Sequence, residues 1–146
     1  MTIADQFVLA LTAWRENRGG GIAGMQSVIN VVCNRSTHRR TDAYTECVRP
    51  MQFSSLTAKG DPELTLWPAD NDPQWLEAIA LAGQAAVGTL EDITDGSNLY
   101  FSPVGIGQTT KTFVLPDGTS IPFPMGWNPA AVTYKTKIAG QYFFIG

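Results

Sequence analysis

Histidine occurs once, at His38, and cysteine twice, at Cys33 and Cys47. A structural zinc site takes about four ligands at set spacings, so no metal is expected. A His–Cys catalytic pair would rest on His38 alone. Two cysteines make no disulfide framework. Cys33 reads as a buried apolar residue, and a Cys33–Cys47 bridge in an oxidising compartment stays open. No long apolar run occurs, which excludes a membrane-spanning helix and any membrane insertion through one. The opening Met1–Asp5 has no basic run and no small-residue cleavage site, so a Sec signal is not expected. Positive charge is in deficit, with ten Lys/Arg against thirteen Asp/Glu, which argues against nucleic acid as the partner. The deficit is uneven. Residues 1–60 carry an excess of Lys/Arg and residues 61–146 an excess of Asp/Glu.

The 146 residues read as a single domain, 1–146, long enough to bury a core without staples. Helical periodicity fills the first half. Ile3, Phe7, Leu11 and Trp14 mark one apolar stripe, and Gly19-Gly20-Gly21 stops that helix. Ile22, Met25, Ile29, Val32 and Cys33 mark a second stripe, ended by the polar run from Asn34 to Arg40. A short helix is expected from Asp42 to Val48, and Met51–Asn71 reads as irregular, a length of loop that is often functional. Asp72 caps a third long helix with Pro73 at its first position and Gly88 beyond its end. Its stripe is Trp75, Ile79, Ala82 and Ala86, with Leu76, Ala80 and Gly83 beside it.

After Gly88 short strand-forming runs take over: Leu99–Phe101, Thr112–Leu115, Val132–Tyr134 and Gln141–Ile145. Pro116–Thr119 suits a hairpin turn, and Pro122–Pro129 reads as an aromatic, proline-punctuated loop. Helices first and small strands last give an α+β fold, mainly helical in its N-terminal part with a small antiparallel sheet from the C-terminal part.

Glu16 is the residue suited to chemistry. On a helical wheel it lies about 20° from Leu9 and about 60° from Ala13, off the polar face of Arg15. Apolar neighbours disfavour a carboxylate's charge and raise its pKa, as a general acid requires. Arg15 and Arg18 oppose that shift, so its sign is open at this level. The competing reading is an acid paired with arginine on a solvated helix end.

The run from Trp14 to Arg35 resembles the opening of the bacterial cell wall hydrolase family typified by spore cortex-lytic enzymes. That family has Glu-Ala-Arg-Gly-Glu, a glycine and an apolar helix ending Asn-Arg. Here Glu16-Asn17-Arg18-Gly19-Gly20 and Asn34-Arg35 stand in those places. Cys47 and Gln52-Phe53-Ser54 match the family's next Cys and Gln-Phe-Ser. Asn98–Phe101 and Ala139–Phe144 resemble its two later strands. The departures are Asn17 for Ala, Gly20 for the second Glu, no His after Tyr100, and Tyr142 for the final His. Residues 105–128 read as an insertion.

The resemblance implies a lysozyme-like fold that cleaves the glycan of peptidoglycan, as a lytic transglycosylase or muramidase. Glu16 is then the catalytic acid. The implied partner is the peptidoglycan glycan strand, with no cofactor, no metal and a monomeric protein. A phage or prophage endolysin fits, made in the cytoplasm and acting on the wall after holin-type or dedicated export. By residue type, Gln52, Ser54 and Ser55 would bind N-acetyl or hydroxyl groups. Tyr100 would orient Glu16 or contact the acetamide, unless it is a core tyrosine. Trp127 and Trp67 suit sugar stacking, unless they anchor their loops. Trp14 and Trp75 read as core. Glu46, Asp61 and Glu63 read as surface acids, with a second catalytic carboxylate as the alternative. Arg35, Arg39 and Arg40 read as a solvated helix end, or as a contact for an anionic polymer. The changes at the two His positions motivate a rival expectation, a catalytically silent glycan-binding phage module.

Overall fold

Thr2 and Asp5 start the first helix by capping each other: Thr2 Oγ1 accepts from the Asp5 amide and Asp5 Oδ2 accepts from the Thr2 amide at 2.7 Å. The computed structural model describes residues 1–146 as five helices followed by five strands. The helices are α1 (Ile3–Asn17), α2 (Gly21–Arg39), α3 (Ala43–Val48), α4 (Ser54–Thr57) and α5 (Pro73–Ala86). The strands are β1 (Leu99–Phe101), β2 (Thr112–Val114), β3 (Ser120–Pro122), β4 (Thr133–Ile138) and β5 (Gln141–Ile145). Strands β1, β5 and β4 form one antiparallel sheet in that order, and β2 and β3 form a separate hairpin. The fold is α+β, with the helices N-terminal and the sheet C-terminal, as the sequence pattern indicates.

The helical core differs from the stripes in three places. In α1, Ile3 and Phe7 are exposed, and every residue from Leu9 to Arg15 is buried. A one-sided stripe describes a surface helix, whereas the middle of α1 is covered by α2, α3 and α5 together. In α2, Ile22 is exposed while Met25, Val28, Ile29, Val31 and Val32 are fully buried. In α5 the buried face is Trp75, Ala78, Leu81 and Ala82, so Ile79 and Leu76 stay in solvent. Small Ala78 and Ala82 let α1 approach α5 closely. Asp72 caps α5 through the Gln74 amide and also accepts from Trp14 Nε1 at 3.1 Å, which joins the ends of the two helices.

The sheet has two unlike faces because side chains alternate along a strand. Tyr100 and Phe143 stack on the helical side. Phe101, Tyr142 and Phe144 point the other way, into a second core closed by Ile121, Phe123 and Trp127. Residues 105–128, read as an insertion, therefore carry the hairpin that covers the outer face of the sheet. Pro122 lies in β3 rather than in a loop, and β4 runs on through Lys135, Thr136 and Lys137 as an edge strand.

A polar row on α2 fastens the segment leading into β1. Gln26 and Asn30 donate to the Glu91 carbonyl, Asn30 Oδ1 accepts from the Ile93 amide, and Asn34 donates to the Ser97 carbonyl. Arg35 completes the row, its Nε donating to the Asn98 carbonyl at 2.6 Å. Tyr100 follows two residues later, so its position is set from α2.

Candidate active site

The chain leaves α1 at Asn17, whose side chain wedges against the start of α2. A Cβ at Gly20 would lie 2.7 Å from Asn17 Oδ1, and one at Gly24 would lie 2.9 Å from Asn17 Nδ2. Glycine at both places is what admits the wedge. Asn17 Nδ2 also donates to Gln141 Oε1 on β5 at 3.1 Å. The helix end that carries Glu16 is thus pinned to α2 and to the sheet.

Glu16 is half-buried. Ser55 Oγ donates to its Oε1 at 2.5 Å and the Tyr100 hydroxyl to its Oε2 at 3.2 Å. Burial is the largest influence on its pKa and raises it. The two hydroxyl donors pull it back and the charge of Asp61 adds to the rise, with the net direction upward. The two arginines that left the sign open are committed elsewhere. Arg15 Nη1 donates to the Ser55 carbonyl, while its Nε and Nη2 both donate to the Leu66 carbonyl. Arg18 grips Glu63 with two bonds, at 2.7 and 3.0 Å, and lies over the Trp14 ring. The Tyr100 hydroxyl is pushed well above its ordinary range by burial and by Glu16, so it stays a donor at neutral pH.

Glu16 opens onto a cleft of about 440 Å³ lined by residues 15–19, Glu63 and Gln74, with no apolar side chain among them, while Ser55 and Tyr100 hold the carboxyl from behind that lining. Gln74 closes one side by donating to the Arg18 carbonyl at 2.6 Å. A protonated carboxyl that faces solvent in a polar cleft, held by two neutral donors, can give a proton to a bound oxygen and take one back.

Several expected roles change. Ser55 is 2% exposed and bonds Glu16, so it positions the acid rather than binding substrate. Ser54 points away from Glu16 and donates to Asp61 Oδ2 at 2.6 Å. Gln52 is half-buried before α4 and makes no bond to Glu16. Trp127 belongs to the second core, edge-on to Phe101, Phe123 and Phe144, on the face of the sheet opposite Tyr100. It does not line the cleft, because three rings there offer it more buried contact than solvent does. Tyr100 takes the orienting role.

Glu46 is not a surface acid. It is fully buried, paired with Arg39 at 2.6 Å and Arg49 at 2.9 Å, and bonded by Thr41. Despite burial, those partners hold its pKa down at about 2. Arg35 is not solvated either. It is 6% exposed, lies over the Phe53 ring, and leaves Nη1 without a partner. Arg40 alone of the basic run is exposed and free of ion pairs. Cys33 and Cys47 are free thiols, and burial pushes them up to about 11 and about 12.

Arg15, Asn17, Arg35 and Gln74 build the site in roles the sequence did not assign them. Arg35 had a signal: Val28, Val32 and Arg35 fall at the spacing of one buried helix face. Comparison with protein-family models, curated proteins and solved structures found no match to the chain. No group of three or more His, Cys, Asp or Glu converges to hold a metal, and no helix is long and apolar enough to cross a membrane.

Proposed function

We propose that the chain cleaves the glycan strand of peptidoglycan, at the β-1,4 bond between N-acetylmuramic acid and N-acetylglucosamine, as a lytic transglycosylase of lysozyme-like fold. The observation that carries this is Glu16 itself. It is one half-buried carboxyl with raised pKa, held by Ser55 and Tyr100, in a cleft whose other acid, Glu63, is neutralised by Arg18.

Protonated Glu16 gives its proton to the glycosidic oxygen as the bond to the anomeric carbon breaks. The substrate's N-acetyl oxygen stabilises the positive charge that develops there. The Glu16 carboxylate then takes the proton of the muramic acid 6-hydroxyl, whose oxygen attacks the anomeric carbon and closes a 1,6-anhydro ring. Glu16 ends as it began, protonated, and no water is consumed. Tyr100 and Ser55 hold the carboxylate between the two steps. Such a protein acts on the wall, as an endolysin does.

One observation favours a second reading, a hydrolytic muramidase. Consecutive serines each hold a carboxylate, Ser55 on Glu16 and Ser54 on Asp61, and the Asp61 charge is felt at Glu16. Asp61 is then the second carboxylate of a two-acid mechanism.

Digestion of purified Gram-negative sacculi followed by mass spectrometry separates the two. Anhydromuramic ends, one water lighter, support the transglycosylase. Reducing muramic ends support the hydrolase. Glu16→Gln keeps the shape and removes the titrating proton, so fragment release falls by at least about a hundredfold while wall binding persists. Normal lysis by that variant overturns the assignment. Absence of fragments from the folded wild-type protein on several wall types leaves a glycan-binding module.

A further inference from the structure

Trp67 is the most exposed aromatic side chain of the molecule, at 65%, and it has no ring neighbour. Exposure of an indole forfeits most of the gain from burying it. Its mounting is nevertheless firm. Arg15, only 6% exposed, grips the adjoining Leu66 carbonyl with two donors at 3.1 and 2.9 Å. The same guanidinium lies over one face of the indole ring, its carbon 4.9 Å from the ring centre. Its remaining bond goes to the Ser55 carbonyl, and the Ser55 hydroxyl goes to Glu16. One buried cation therefore fixes an exposed indole and the catalytic carboxyl in the same frame.

The chemistry of the surroundings selects the ligand. Arg15 also lines the Glu16 cleft, which has no apolar side chain in its wall and so suits hydroxyl and amide groups. The bonded donors of Arg15 and Arg18 all serve carbonyls or Glu63, so no free cation stands ready for an anion. A flat aromatic face beside a neutral polar cleft matches a pyranose, which presents C–H bonds on its faces and hydroxyls on its edges. We propose that Trp67 is a sugar-stacking platform at the rim of the Glu16 cleft, mounted by Arg15, for a ring of a β-1,4-linked N-acetylhexosamine oligosaccharide. This rests on the reading of the cleft as a glycan site and adds the residue that grips the chain beside the cut.

The test is binding of the β-1,4-linked N-acetylglucosamine tetramer, followed by indole N–H signals in NMR, in the Glu16→Gln protein so that no turnover intervenes. The tetramer shifts the Trp67 signal and leaves Trp127 unmoved. Trp67→Ala weakens binding by about tenfold or more, and Trp67→Phe keeps it within about threefold. An exposed site makes unfolding of either variant a minor concern, and an unchanged circular dichroism spectrum checks it. Equal binding by Trp67→Ala, or no binding by the parent, overturns the platform. Binding through Trp67 in a protein whose wild-type form cuts no sacculi supports the platform and sinks the cleavage reading.

Discussion

Four charged side chains are buried in the helical half, Asp5, Arg15, Arg35 and Glu46, and none is buried beside the aromatic cluster of Phe101, Phe123 and Phe144. Helices offer directional partners that a ring cluster lacks. Asp5 receives the amides of Thr2 and Tyr44, and Arg15 reaches two carbonyls across the central loop. A region that can satisfy buried charge can also hold a carboxyl half out of water without neutralising it by an ion pair. Glu16 sits there. The aromatic core is closed mainly by ring-on-ring contacts, holds no buried charge, and backs the sheet that presents Tyr100. Two loop tryptophans show the same division. Trp127 finds three rings and is core, whereas Trp67 finds one cation and stays exposed.

The largest expected effect on stability breaks the charged side of this contrast. Glu46→Ala removes the buried acceptor of Arg39, Arg49 and Thr41, whose charge-assisted bonds together contribute about 3 kcal/mol, because the two arginines left behind are part-exposed and rehydrate. Thermal melting should fall by about 10 °C or more. The wild-type protein shows the same dependence in acid. The Glu46 pKa is depressed from 4.5 to about 2, so its contribution is present above the ordinary carboxyl pKa and is lost as pH falls toward about 2. Glu16 has the opposite sign. Its raised pKa means that the folded state favours the protonated form, and that contribution is lost as pH rises through the folded value. An acid melt that moves with Glu46→Ala and not with Glu16→Gln confirms the assignment of the two carboxyls, and the reverse refutes it.

Trp127→Ala tests the other side. Removing a half-buried indole from three ring contacts costs about 2–3 kcal/mol, read as a lower urea midpoint. Cleavage per folded molecule should be unchanged, because Trp127 lies behind the sheet. A loss of cleavage in protein that melts normally would return Trp127 to the substrate side.

The order of elements, the Asp72 cap and the Glu16 position were legible because they rest on local chemistry. Asp72 followed by Pro73 dictates a helix start whatever surrounds it. Glu16 shares a face with Leu9 and Ala13, both of which are fully buried. Ile3, Ile22 and Ile79 misled because apolar residues at helical spacing do not say how many neighbours the helix will have. Glu46 misled for a related reason. Arg49 is a local partner three residues on, but Arg39 lies at the end of α2, and only the turn between α2 and α3 brings it to Glu46 and closes the pair away from water. The site shows both cases. Glu16 was readable from its helix face and Tyr100 only as one of several readings, an orienting or acetamide-binding phenol or a core tyrosine, whereas the turn of Ser55 toward the acid and of Ser54 toward Asp61 depends on the fold of the central loop.

The smallest effect concerns the bond that joins the two regions at the acid. Tyr100 reaches Glu16 from the sheet at 3.2 Å, longer than the bond from Ser55. A hydroxyl that donates to a carboxylate favours the charged form, so its removal raises the carboxyl pKa further. Tyr100→Phe keeps the ring stacked on Phe143 and removes only that donor. The alkaline limb of kcat/KM, where the acid loses its proton, should move to higher pH, and the optimum value should fall by less than about tenfold. The charges lining the cleft, Arg15 and the Arg18–Glu63 pair, and Asp61, whose charge is felt at Glu16, are untouched by the change and hold the background constant. A purely structural tyrosine would lower the amplitude and leave the limb in place. A limb that moves with no change in melting temperature ties the sheet to the chemistry of the helices through this one hydroxyl.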